Sequence, residues 1–134
     1  MNLLLIDSTQ PTLTVALAVD GQITVTKTCD EQRQHDKNIN RLIGELGTMD
    51  FAAVAVVTGP GSWTGIRVGL AVAKAYAYAK QIPVIALKNK LDVAVAMHKY
   101  QTGDTLSPFA VAPFYDGEFI VNKSGAPKRP IAKN

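Results

Sequence analysis

The sequence predicts an α/β fold: a mixed five-stranded sheet with helices on both faces, followed by a short C-terminal hairpin. Three observations lead there. Two alternating runs flank Asp20-Gly21, and a two-residue Asp-Gly turn matches the twist of an antiparallel hairpin. The run at 53–57 is apolar without alternation, the pattern of a strand covered on both faces. Helical stretches then alternate with the later strands, which calls for helices packed on a sheet.

The elements follow in order. Residues 3–6 are a short apolar run ending at Asp7. Residues 12–19 alternate, with Leu13, Val15, Leu17 and Val19 on one face. Residues 22–28 return beside them, with Ile23 and Val25 on one face. Residues 33–46 read as an amphipathic helix, because Ile39, Leu42, Ile43 and Leu46 follow i, i+3, i+4, i+7 spacing. Gly47 is its expected stop. The strand at 53–57 breaks at Gly59-Pro60-Gly61, and a helix runs from 62 to 80 with Ser62 or Thr64 as cap. Residues 83–87 form a strand that starts at Pro83, and 92–100 a shorter helix. Residues 109–113 and 118–122 pair as a hairpin across Tyr115-Asp116-Gly117. This order is the ribonuclease-H-like arrangement. It divides the sequence into a lobe at 1–104, the remnant of a second lobe at 105–122 and a basic tail at 123–134. Actin-like ATPases and sugar kinases place a nucleotide between two such lobes; here there is one lobe and at most the first hairpin of another.

The helix at 62–80 organises the rest. At about 100° per residue, Arg67, Lys74, Tyr78 and Gln81 fall on one narrow stripe. The remaining arc is apolar or small over roughly 260°, where a surface helix needs about 100°. One flank reads Val68, Val72, Ala75, Ala79. The other reads Ile66, Leu70, Ala73, Ala77, with Gly65 and Gly69 between. A sheet covers one flank, and the other needs a second helix from this chain or another protein. Periodicity leaves two readings open: the central helix of an ordinary core, or a helix that faces a partner.

Composition sets the class. The chain has 134 residues, 47% hydrophobic and 19% charged, as a globular domain does. No run approaches the ~20 apolar residues of a membrane span. Met1-Asn2 leads into the first apolar run without a basic start or cleavage signal, so a cytoplasmic protein is expected. The single Cys29 excludes an internal disulfide, and Asp30 and Glu31 beside it oppose thiolate formation. The net charge of +3 is carried by Lys123, Lys128, Arg129 and Lys133; residues 1–122 hold one more acid than base. The folded part therefore offers no basic stripe for nucleic acid.

Candidate chemistry is sparse. Gly59, Gly61 and Ser62 follow a strand and open a helix, the context that holds an anion or nucleotide phosphate. The spacing departs from Walker and dinucleotide fingerprints, and a tight turn without a ligand is the favoured reading. Asp7 ends the first strand, where it is placed to hold a metal through water. Residues 7–12 lack the glycine of a phosphate-cradling hairpin, which favours a polar strand end. His35 and His98 have no second ligand at metal spacing, so no metal site is expected. No nucleophile, general base or catalytic triad stands out.

Residues 58–74, Thr-Gly-Pro-Gly-Ser-Trp-Thr-Gly-Ile-Arg-Val-Gly-Leu-Ala-Val-Ala-Lys, resemble the signature of the TsaB (YeaZ) family. Supporting it are Leu4-Leu5-Ile6-Asp7-Ser8-Thr9, His35 ahead of Ile39 and Leu42, and Ile82-Pro83-Val84. The resemblance covers about residues 1–122. It implies an actin-like fold and a role in adding the threonylcarbamoyl group to the adenosine beside the anticodon of tRNA. It implies a non-catalytic scaffold that activates TsaD, with TsaE joining, tRNA met only indirectly, and no membrane contact. TsaD binds metal through two histidines; the matching positions here are approximately Asn89 and Val93, which cannot replace them. No cofactor of its own is implied, with ATP or ADP entering only in the complex.

Two departures stand out. The second lobe is nearly absent, and Phe114-Tyr115-Asp116 replaces the usual Asp-Ala-Arg before the glycine turn. Pairing is implied through helices 33–46 and 62–80, and a homodimer through the same face. The expected interface residues are His35, Ile39, Leu42, Ile43, Leu46, Gly65, Ile66, Gly69, Leu70, Ala73 and Ala77. Gly69→Arg is accordingly expected to abolish pairing and leave the monomer folded. Two alternatives stay open. One is a nucleotide-dependent enzyme of the actin or sugar-kinase type using Asp7 and the 59–65 turn. The other is a peptidase, for which no constellation speaks.

Overall fold

The computed structural model describes residues 1–31 and 33–109. Five strands, β1 Asn2–Asp7, β2 Leu13–Val19, β3 Gln22–Cys29, β4 Ala53–Val57 and β5 Val84–Leu87, form one sheet in the order β3-β2-β1-β4-β5. The first three pair antiparallel, and β4 and β5 run parallel to β1 and to each other. Helices α1 His35–Gly44 and α2 Trp63–Lys80 share a core on one face; α3 Val93–Thr102 packs on the other. The ribonuclease-H-like mixed sheet with helices on both faces is therefore what the chain forms.

The strands divide their side chains between two cores, as the period of two requires. Leu4, Ile6, Val15, Val54 and Val56 point toward α1 and α2. Leu3, Leu5, Ala53, Ala55 and Val57 point toward α3. The larger residues thus lie under the helix pair.

Asp20 and Gly21 both have positive φ, 51° and 87°, as the type I′ turn demands. The expected shared face of Ile23 and Val25 is corrected. A register shift pairs Leu17 with Val25 but Ala18 with Ile23, leaving Thr24 as the extra residue of a bulge. Val25 then joins the core under α1 and α2, while Ile23 turns to the other face, 43% exposed.

Helix α1 starts later than position 33, because Arg33 has φ 62° and lies outside helical geometry. It ends at Gly44, before Leu46, and Gly47 with φ 93° redirects the chain three residues on. Leu46 stays buried outside the helix. Ser62 caps α2, its hydroxyl accepting from the Gly65 amide, and Gln81 closes the helix in the left-handed region. Ile82 N then donates to Ala77 O at 3.0 Å, the longer-range bond of a Schellman ending. Asp92 caps α3 and Gly103 ends it.

Leu106 returns to the sheet edge, exchanging two backbone hydrogen bonds with Val84. Of the expected second-lobe remnant at 105–122, only 105–109 are described; the hairpin strand at 118–122, residues 114–116 and the tail at 123–134 lie outside the described residues. Among the described residues no helix is long and apolar enough to cross a membrane.

Candidate partner surface and the glycine turn

The glycine turn meets the end of β1, not open space. Ser62 N donates to Thr9 O at 3.0 Å, and the Ser8 hydroxyl donates to Gly65 O at 2.5 Å. A Cβ at Gly61 would stand 2.5 Å from Thr9 O. One at Gly65 would overlap Ser8 O, and one at Gly69 would overlap the Ser8 hydroxyl. Three glycines four residues apart thus form a groove that receives the backbone of Thr9 and Ser8 at Gly61 and Gly65 and the Ser8 side chain at Gly69. Gly59 O accepts from Asn89 N at 3.0 Å, tying the turn to the loop after β5.

Two of the candidate anion residues, Asp7 and Ser62, make hydrogen bonds at this junction. Asp7 Oδ1 accepts from Thr9 N at 2.9 Å and from Thr9 Oγ1 at 2.6 Å, closing a local turn. Ser62 Oγ is the helix cap. Beside them a cleft of about 920 Å³ opens between the starts of α1 and α2, lined among others by Gln10, Arg33, His35, Ser62 and Trp63. His35 Nε2 lies 2.9 Å from Gln10 O; a carbonyl only accepts, so this nitrogen carries the proton. Nδ1 is buried and finds no hydrogen-bond partner among the described residues. His35 thus ties α1 to the loop after β1. Among the described residues no three His, Cys, Asp or Glu side chains gather as a metal-binding group.

The expected interface residues take a different place. His35, Ile39, Leu42, Ile43, Leu46, Gly65, Ile66, Gly69, Leu70, Ala73 and Ala77 are all buried in this chain's own fold. As contact atoms for a partner they are corrected: the wide apolar arc of α2 turns this flank against the sheet. The Gly69→Arg expectation is corrected with them, since Gly69 packs internally on Ser8.

The opposite flank behaves differently. Val68, Val72 and Tyr76 are half-buried at the edge of the core beneath α1, and Tyr76 OH donates to Asn40 Oδ1 at 3.4 Å. Burial pushes the Tyr76 phenol above its ordinary range. Beyond them Ala71, Ala75 and Ala79 are exposed. Trp63 is 56% exposed and Tyr78 65%, and the Arg67 guanidinium lies 5.7 Å from the Trp63 ring centroid. This helix face thus carries exposed alanines bounded by two exposed aromatics, with the Tyr78 ring edge-on to that of Phe109 at 5.6 Å between centroids. Spacing alone had not distinguished it from its buried twin.

The family model described as TsaD, tRNA N6-adenosine threonylcarbamoyltransferase, matches residues 29–118, more than half of the sequence. The tRNA threonylcarbamoyladenosine biosynthesis protein TsaB of Haemophilus influenzae is 35% identical, over 72% of this chain and 43% of that protein. TsaB of Escherichia coli is 30% identical, over 70% and 43%. The chain thus spans less than half the length of both relatives. The structure of YeaZ from Pseudomonas aeruginosa superposes with a TM-score of 0.61 at 24% identity, covering 78% of this chain and 52% of that one. A glycine signature that seats β1 on α2, a matching family model and TsaB relatives that align along most of this sequence agree: the chain belongs to the TsaB (YeaZ) family, related to TsaD.

Proposed function

We propose that this chain acts in the biosynthesis of threonylcarbamoyladenosine in tRNA, as a non-catalytic scaffold that pairs with and activates TsaD. The observation that carries the reading is the outer flank of α2, where Trp63, Ala71, Ala75 and Tyr78 lie open on a helix whose other flank is buried. Pairing removes this apolar surface from water, which stabilises a complex by roughly 25 cal/mol per Å² of apolar area covered, before the cost of association. The contact side chains are those of the outer flank and of the exposed positions of α1, Lys37, Asn40 and Arg41. A homodimer uses the same face and competes with TsaD for it. TsaE joins the pair, and ATP or ADP enters at the level of the complex.

Light scattering of the chain mixed with its cognate TsaD tests the reading. A heterodimer is expected, and Ala75→Arg is expected to abolish it while the circular dichroism of the chain stays unchanged. Absence of a complex with the unaltered chain removes the proposal. ATP turnover by the purified chain alone would remove the non-catalytic role and favour the actin or sugar-kinase type of enzyme.

A further inference from the structure

We propose that Ser8 is a positioning residue for the partner face: lodged among the glycines of α2, it fixes how close the helix lies to the sheet, and so where the outer flank stands. The inference rests on the pairing proposed above.

Ser8 is fully buried immediately after β1, and its hydroxyl donates to Gly65 O at 2.5 Å. Its side chain fills the space that a Cβ at Gly69 would need, and its carbonyl the space that one at Gly65 would need. Thr9 does the same at Gly61. Ser8 and Thr9 therefore meet the 61–69 segment at three points four residues apart, the last two of them on α2, at a distance that no other residue type at 61, 65 or 69 permits. Trp63, Arg67 and Ala71 stand on the same turns, facing outward. Packed elements shift as units when bulk is added between them. One methyl group at Ser8 is thus transmitted to the partner face although Ser8 is out of a partner's reach.

The test compares Ser8→Thr, Ser8→Ala and Leu3→Ala in the full chain, with calorimetric titration of cognate TsaD below the unfolding temperature of each variant. Leu3 is buried in the opposite core beneath α3, so its truncation lowers stability without touching α2. Ser8→Thr is expected to weaken binding about tenfold, the scale of losing one well-packed anchor. Ser8→Ala, which adds no bulk but removes the hydroxyl over Gly69 together with its hydrogen bond, is expected to weaken it less. Leu3→Ala is expected to bind as the unaltered chain does despite a lower melting temperature. Should Ser8→Thr fail to fold, Ser8→Ala decides: weaker binding than Leu3→Ala supports positioning, and equal binding overturns it. Loss of affinity in Leu3→Ala equal to that in Ser8→Thr, or unchanged binding by Ser8→Thr, overturns the inference alone. Failure of the unaltered chain to bind overturns the pairing and this inference with it.

Discussion

The two flanks of α2 are nearly indistinguishable as text. Ile66, Leu70, Ala73 and Ala77 form one; Val68, Val72, Ala75 and Ala79 form the other. In the fold the first is buried and the second runs from half-buried to open. The difference lies in the glycines. Gly65 and Gly69 stand on the inner flank, where Ser8 requires the absence of a side chain. A close backbone approach, rather than hydrophobicity, decides which flank turns inward. That choice leaves the other flank facing outward.

The largest break in this asymmetry comes from Gly69→Arg. The side chain has no room against Ser8, and a buried unpaired charge adds to the overlap. We expect destabilisation beyond about 4 kcal/mol, a large part of the 5–15 kcal/mol that holds an ordinary domain together. Urea unfolding followed by circular dichroism measures it, and a folded variant with native stability would contradict the inner packing.

A paired substitution sharpens the contrast. Leu70→Ala empties a site that is 4% exposed and is expected to cost about 2–5 kcal/mol. Ala75→Leu, one turn further on and outward-facing, is expected to stay within about 0.5 kcal/mol of the unaltered chain. Denaturant midpoints of the two variants check both values. Similar losses from both would mean that the outer flank is packed as tightly as the inner.

Much of the fold is legible from residues alone. The Asp20-Gly21 turn, the unbroken apolar run at 53–57 and the Ser62 cap each state a local structure that the chain adopts. The bulge at Thr24 is not legible, because an extra residue leaves no mark in a strand whose side chains are half exposed. The expected interface set failed for a related reason. Periodicity measures the width of the apolar arc, whereas the direction it faces depends on Ser8, 57 residues away in sequence. The cue was present in Gly61, Gly65 and Gly69 at four-residue spacing, which announces a close neighbour without saying whether that neighbour is a partner or the chain itself.

The smallest effect lies at the seam between the half-covered flank and α1. Burial raises the Tyr76 phenol above its ordinary value of 10.0. The folded chain therefore holds this proton at a pH where the unfolded chain has released it. The linkage has one sign: the contribution is fully present below the unfolded value of about 10 and is lost as pH rises from there through the raised folded value. Unfolding midpoints between pH 9 and pH 11 are expected to fall more steeply for the unaltered chain than for Tyr76→Phe, which has no proton to lose. A partner seated on the outer flank covers Tyr76 further and moves its ultraviolet titration to still higher pH. A titration left unmoved by partner binding would place the contact away from this seam, on the Trp63 end of the helix.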